Sequence, residues 1–168
     1  TGKESSGVEV SDSLLYVGKP FVLCATRRTT PATRLRALAL AEALGAIPIE
    51  MDAERHDRIV ATISHLPYLL SAALVATATS EANHDEAVWQ LAAGGFRDMS
   101  RLAGSDIRMM SDIINTNTQA IAVLLAQFRV QLALLERMLI ARDEDELVES
   151  LRPIRETRIN WAERYQPK

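Results

Sequence analysis

Apolar residues at Ile59, Val60, Ile63, Leu66, Leu70 and Leu74 recur every three or four positions, the period of a helix that turns one face to a core. A second face of the same segment runs through Ala61, His65, Tyr68 and Ala72, setting one imidazole and one phenol among small residues. Pro67 has no N–H, so the carbonyl of Ile63 should lose its helical donor and the helix should kink beside His65. Two readings are open. One is a binding site beside the kink; the other is a buried histidine bonded to a carbonyl in a bent core helix.

Upstream the pattern is α/β. Pro20 to Ala25 is a short apolar run, hence a buried strand. Pro31 to Leu44 reads as a helix, with Pro31 in its first turn and Gly45 as its stop. Ala46 to Met51 returns as a strand, at an edge because Pro48 has no N–H to donate. Strand, helix and strand alone do not make a stable covered sheet. The expectation is the tail of a larger α/β domain whose first part precedes Thr1.

From Asp52, a suitable N-cap, the pattern is helical to the end. A second segment starts at Asn83-His84-Asp85 and runs to Gly94-Gly95, with His84 as a cap or surface residue. A third runs from Ser105 or Asp106 to about Arg142, with a break plausible at Asn115–Asn117. The last spans Glu144 to about Tyr165, with Pro153 as a bend and Trp161 as an anchor. Between these, Arg97 and Arg101 fall on one helical face at i, i+4, with Asp98 at i, i+3 from Arg101. An anion or carboxylate is expected near the paired guanidinium groups, although a solvated surface helix would show the same pattern.

Composition narrows the class. Hydrophobic content of 48% and charged content of 24% are those of a soluble globular protein. The net charge of −3 and the lack of a basic run argue against nucleic acid as a partner. Cys24 is the only cysteine, which removes a disulfide framework and a thiolate metal cluster and fits a reducing cytoplasm. No uninterrupted run of about 18 apolar residues is present, so no membrane partner is expected.

Four short blocks in order carry a family resemblance: Gly2-Lys3-Glu4-Ser5-Ser6-Gly7, His56-Asp57, Ser64-His65-Leu66-Pro67, and Gly94-Gly95-Phe96-Arg97-Asp98 with Ser100-Arg101 and Ser105-Asp106 after it. Together they resemble the prephenate/arogenate dehydrogenases of tyrosine biosynthesis, over most of the chain up to about Arg142. The resemblance implies a mainly α fold, an all-helical substrate-binding and dimerisation domain over residues 53–168, preceded at 1–52 by a short β-α-β remnant of a Rossmann-type domain. It implies a cytoplasmic homodimer that interlocks through its helical domains. The implied reaction is an oxidative decarboxylation of prephenate or arogenate with NAD or NADP, and no metal.

By the same resemblance, Arg101 grips a substrate carboxylate, a task suited to a two-pronged guanidinium. Ser64 and His65 line the pocket near nicotinamide and substrate, with Ser64 the one weak cofactor contact. Glu4 and Asp98 border the pocket, Asp98 from the partner subunit, and Arg97 and Tyr68 complete the substrate set. Tyr68 stands where many prephenate-specific members have a second histidine, and Met110 where many have tryptophan, so the choice between the two substrates stays open. The family's catalytic histidine and its Gly-x-Gly-x-x-Gly fingerprint would both lie before Thr1, and with them the choice of NAD or NADP. The 168-residue chain alone is therefore expected to be inactive. Three other readings compete: a non-catalytic helical dimerisation or regulatory module, a chorismate-mutase-like bundle suggested by Leu135-Glu136-Arg137 and the arginine-rich last helix, and a relative of the β-hydroxyacid dehydrogenases.

Overall fold

The computed structural model describes residues 7–165; Glu4 and most of the Gly2–Gly7 block lie outside the described residues. Strand β1 (Pro20–Cys24), helix α1 (Pro31–Ala43) and strand β2 (Ile47–Met51) follow in order. The strands pair in parallel from Pro20 opposite Ile47 to Cys24 opposite Met51. Thr30 caps α1 by accepting from the Thr33 amide at 3.1 Å, and Gly45, at φ +68°, supplies the left-handed turn into β2.

Asp52 then caps α2 (Ala53–Val60), its carboxylate accepting from the Arg55 amide at 2.7 Å. The helix passes through a π turn (Ala61–His65) into α3 (Leu66–Ala82). Next come α4 (Ala87–Gln90), α5 (Gly94–Ser100), a 3-10 turn (Arg101–Gly104), α6 (Ile107–Thr116), α7 (Thr118–Ala141) and α8 (Glu144–Tyr165). Gly94-Gly95 end the preceding segment and form the first turn of α5, behind an extended Ala93. The fold is thus mainly helical after a short β-α-β segment, and the break expected at Asn115–Asn117 falls at Asn117.

The chain divides into two compact units after Leu124. In the first, Ala41, Ala61, Met110 and Ile121 are buried. In the second, Met138 is buried against α8, where Ser150 Oγ lies 3.5 Å from its sulfur. Arg137 pairs with Glu146 at 2.7 Å, and Asp143 caps α8 through the Glu146 amide. Trp161 is not the anchor expected of it within this unit. It is 43% exposed, with the Arg158 guanidinium stacked 4.9 Å from its ring.

Two continuous helices, Ala53–Ala82 and Thr118–Ala141, are long and apolar enough by composition to cross a membrane, although polar residues interrupt both. Neither is buried in the single chain, and among the described residues no large side chain is fully buried. The apolar surface left open on α7 includes Val123, Val130, Leu132, Leu139 and Ile140.

Candidate functional site

The disturbance caused by Pro67 takes the form of a π turn rather than an abrupt kink. With no N–H at Pro67, the Ile63 carbonyl has no donor four residues on. The Leu66 amide instead reaches five residues back to the Ala61 carbonyl. The extra residue in this turn re-phases the helix, and that changes which face is buried. Ala61 is fully buried and His65 is 7% exposed, whereas Ile59 and Ile63, assigned to the core by their spacing, are exposed at 37% and 69%. Tyr68 is half-buried on the His65 side, and Ser64 is exposed.

His65 is held from across the unit. Asn117 Nδ2 lies 2.8 Å from the Asp57 backbone carbonyl and 3.3 Å from His65 Nδ1. Asp57 also accepts at its carboxylate from His56 Nδ1, 3.0 Å away. Burial pushes the His65 pKa below its ordinary 6.5; the nearby Asp57 charge pulls it up, and His56 pushes it further down. The imidazole is therefore kept neutral, the form that can offer one donor and one acceptor.

α3 also carries the second motif. Ser71, 3% exposed, accepts from the Ala103 amide at 2.9 Å and so pins the 3-10 turn that begins at Arg101 to the helix that bears His65. Ser105 closes the turn by donating to the Leu102 carbonyl at 2.8 Å. Arg97 lies within α5, which ends at Ser100, and Arg101 opens the 3-10 turn that follows while itself keeping right-handed helical geometry at φ −52° and ψ −44°. Asp98 lies 3.7 Å from the Arg97 guanidinium, and all three charged side chains are exposed. The structure thus links the His65 helix to the Arg101 turn, with Arg97 and Asp98 on the adjoining exposed helix. Ser71 and the bond from Asn117 to His65 were missed from the sequence. A serine inside an otherwise apolar helix, and an asparagine at a helix break, were the available signals.

Among the described residues no group of three or more His, Cys, Asp or Glu side chains converges to hold a metal. A cavity of about 560 Å³ opens between the sheet and α2, lined by Val22, Ile49, Met51, Ile59 and Ile63, with Lys19 and His56 among its polar lining. The sequence holds no Gly-x-Gly-x-x-Gly run of the kind that cradles a dinucleotide's phosphates. The residues in hand fit one wall of such a site and not its phosphate cradle. What they offer chemically is a largely buried imidazole on one element and exposed guanidinium groups, suited to a carboxylate, on the segment pinned to it through Ser71.

The sequence model of the family described as "Prephenate dehydrogenase, dimerization domain" matches residues 52–153. A prephenate dehydrogenase of Lactococcus lactis is 31% identical over 142 residues, 84% of this chain and 38% of that protein. The crystal structure of Aquifex aeolicus prephenate dehydrogenase in complex with hydroxyphenyl propionate and NAD+ superimposes with a TM-score of 0.87 at 31% identity, over 95% of this chain and 56% of that one. Synechocystis arogenate dehydrogenase gives 0.80 at 29% identity, over 95% and 58%. The chain thus spans about 38% to 58% of the proteins it matches here.

Proposed function

The chain belongs to the prephenate dehydrogenase family, whose dimerization domain covers residues 52–153, and from that premise we propose that it supplies the substrate-pocket wall and dimer interface of a prephenate or arogenate dehydrogenase. The observation that carries this reading is the link from His65 through Ser71 to the Arg101 turn, which brings two separate motif blocks into one unit. The dividing line at residue 52/53, between the α/β segment and the helical domain, is supported by the start of the family match at residue 52.

In the working enzyme, NAD or NADP would supply the hydride-accepting chemistry when bound, and the residues of this chain would hold the substrate against it. The chain's own work is orientation and charge. Arg101 receives a carboxylate of the substrate, and Arg97 and Asp98 border the entrance. His65, kept neutral by burial, presents a hydrogen-bond donor to the pocket, and Tyr68 lies one turn further on. Ser64 meets the nicotinamide end, and the family resemblance adds Glu4 to the pocket's acidic residues. A second copy covers the apolar faces of α7, and no metal, nucleic acid or membrane takes part. The single cysteine supports a cytoplasmic setting.

Kinetics on the chain joined to an upstream dinucleotide-binding half test this reading, with the 168-residue chain alone as a control expected to show no turnover. Arg101→Ala should raise KM for prephenate or arogenate on the order of 10- to 100-fold, the equivalent of roughly 1.5–3 kcal/mol for a lost charge-assisted hydrogen bond. KM for the cofactor and kcat should move little, because the carboxylate is held alike in ground and transition states. Arg101→Lys should recover part of the loss. An unchanged substrate KM with impaired folding would assign Arg101 to structure and move the grip to Arg97.

A further inference from the structure

We propose that Asn117 is a positioning residue that fixes the tautomer of His65, leaving Nδ1 as a bare acceptor and the proton on Nε2. The argument begins at Asp57. Its backbone carbonyl can only accept, so the Asn117 atom 2.8 Å from it must be the amide nitrogen and not the oxygen. That nitrogen carries a second hydrogen, and it lies 3.3 Å from His65 Nδ1. An acceptor is required there, so Nδ1 is unprotonated and Nε2 bears the hydrogen of the neutral ring. Protonating the ring would set Nδ1–H against the amide N–H, two donors face to face.

The backbone puts the amide in place. Asn117 leaves helical geometry at φ −127° and ψ 26°, between α6 and α7, and its own N–H closes on the Ile114 carbonyl. The break in the long helix is thus the point at which an amide is delivered to the π turn. His65 sits at the end of that turn and is only 7% exposed. The charges acting on the ring are Asp57 and His56, both on α2, and the Asp57 carboxylate is engaged with His56 Nδ1. Burial favours the same neutral ring. That the Nε2 donor serves a dehydrogenase substrate rests on the function proposed above; the tautomer does not.

Long-range proton–nitrogen NMR on the 15N-labelled 168-residue chain tests this directly, since only His56, His65 and His84 contribute. The wild-type His65 signals should show Nε2 protonated and Nδ1 bare at neutral pH. In Asn117→Asp the carboxylate accepts where the amide donated. The proton should move to Nδ1 or the ring should become charged, raising the His65 titration midpoint by about 1 to 3 pH units. Asn117→Ala should give a mixture of tautomers. A wild-type spectrum with Nδ1 protonated overturns the proposal and needs no variant. So does a folded Asn117→Asp whose His65 signals are unmoved. Because no substrate is involved, this result stands apart from any failure of the dehydrogenase assignment.

Discussion

At the scale of single residues, His65 makes stability depend on pH in a definite direction. Its folded pKa lies below the ordinary 6.5 because burial disfavours the charged ring. As pH falls through 6.5, the unfolded chain takes up a proton that the folded chain refuses. Stability is therefore complete above 6.5, declines between 6.5 and the lower folded value, and levels off beneath it. The slope from this one group is at most about 1.4 kcal/mol per pH unit. Denaturant unfolding of wild type and His65→Gln at pH 7.5 and pH 5 should show a smaller loss on acidification in the variant. Equal losses would mean that His65 is not the group that titrates.

At the scale of elements, the π turn decides what faces what. An α turn in its place would hold one residue fewer between the same rungs, and deleting Thr62 should remove that extra residue, leaving only the donor gap at Pro67. Everything beyond would rotate by about 100° relative to α2. The Asn117 bond to His65 and the Ser71 bond to Ala103 could not then both survive. The expected cost is about 2 kcal/mol for two lost hydrogen bonds, read as a lower Tm, with loss of the His65 tautomer signature. An unchanged Tm would show that the turn sets no register.

This element also explains what was legible in the sequence. Asp52, Pro31, Gly45 and the alternation around them act locally, and β1, α1, β2 and the start of α2 were placed to within a residue or two for that reason. The histidine helix was placed too, but its core face was not. Ile59 and Ile63 fit a 3.6-residue period that the π turn interrupts, and a period-based reading has no way to count the additional residue. Asn117 and Ser71 act across long stretches of sequence, so no local pattern could pair them with their partners.

At the scale of the whole molecule, the apolar surface on α7 and α8 needs cover. Val130, Leu139, Ile140, Ile154 and Trp161 are all exposed in the single chain, and the matched family domain is one that dimerises. Light scattering at micromolar concentration should give twice the chain mass of 18.6 kDa; a clean monomer would leave those faces without their expected partner. The Asn117 bond has a kinetic consequence as well. It joins positions 60 residues apart, so closing that loop costs about 3–4 kcal/mol of chain entropy before anything is gained. Helices on either side form from local contacts within about a microsecond. His65 therefore acquires its dry, one-tautomer surroundings late on the folding path and gives them up early in unfolding, so the histidine should be hydrated before the helices around it come apart.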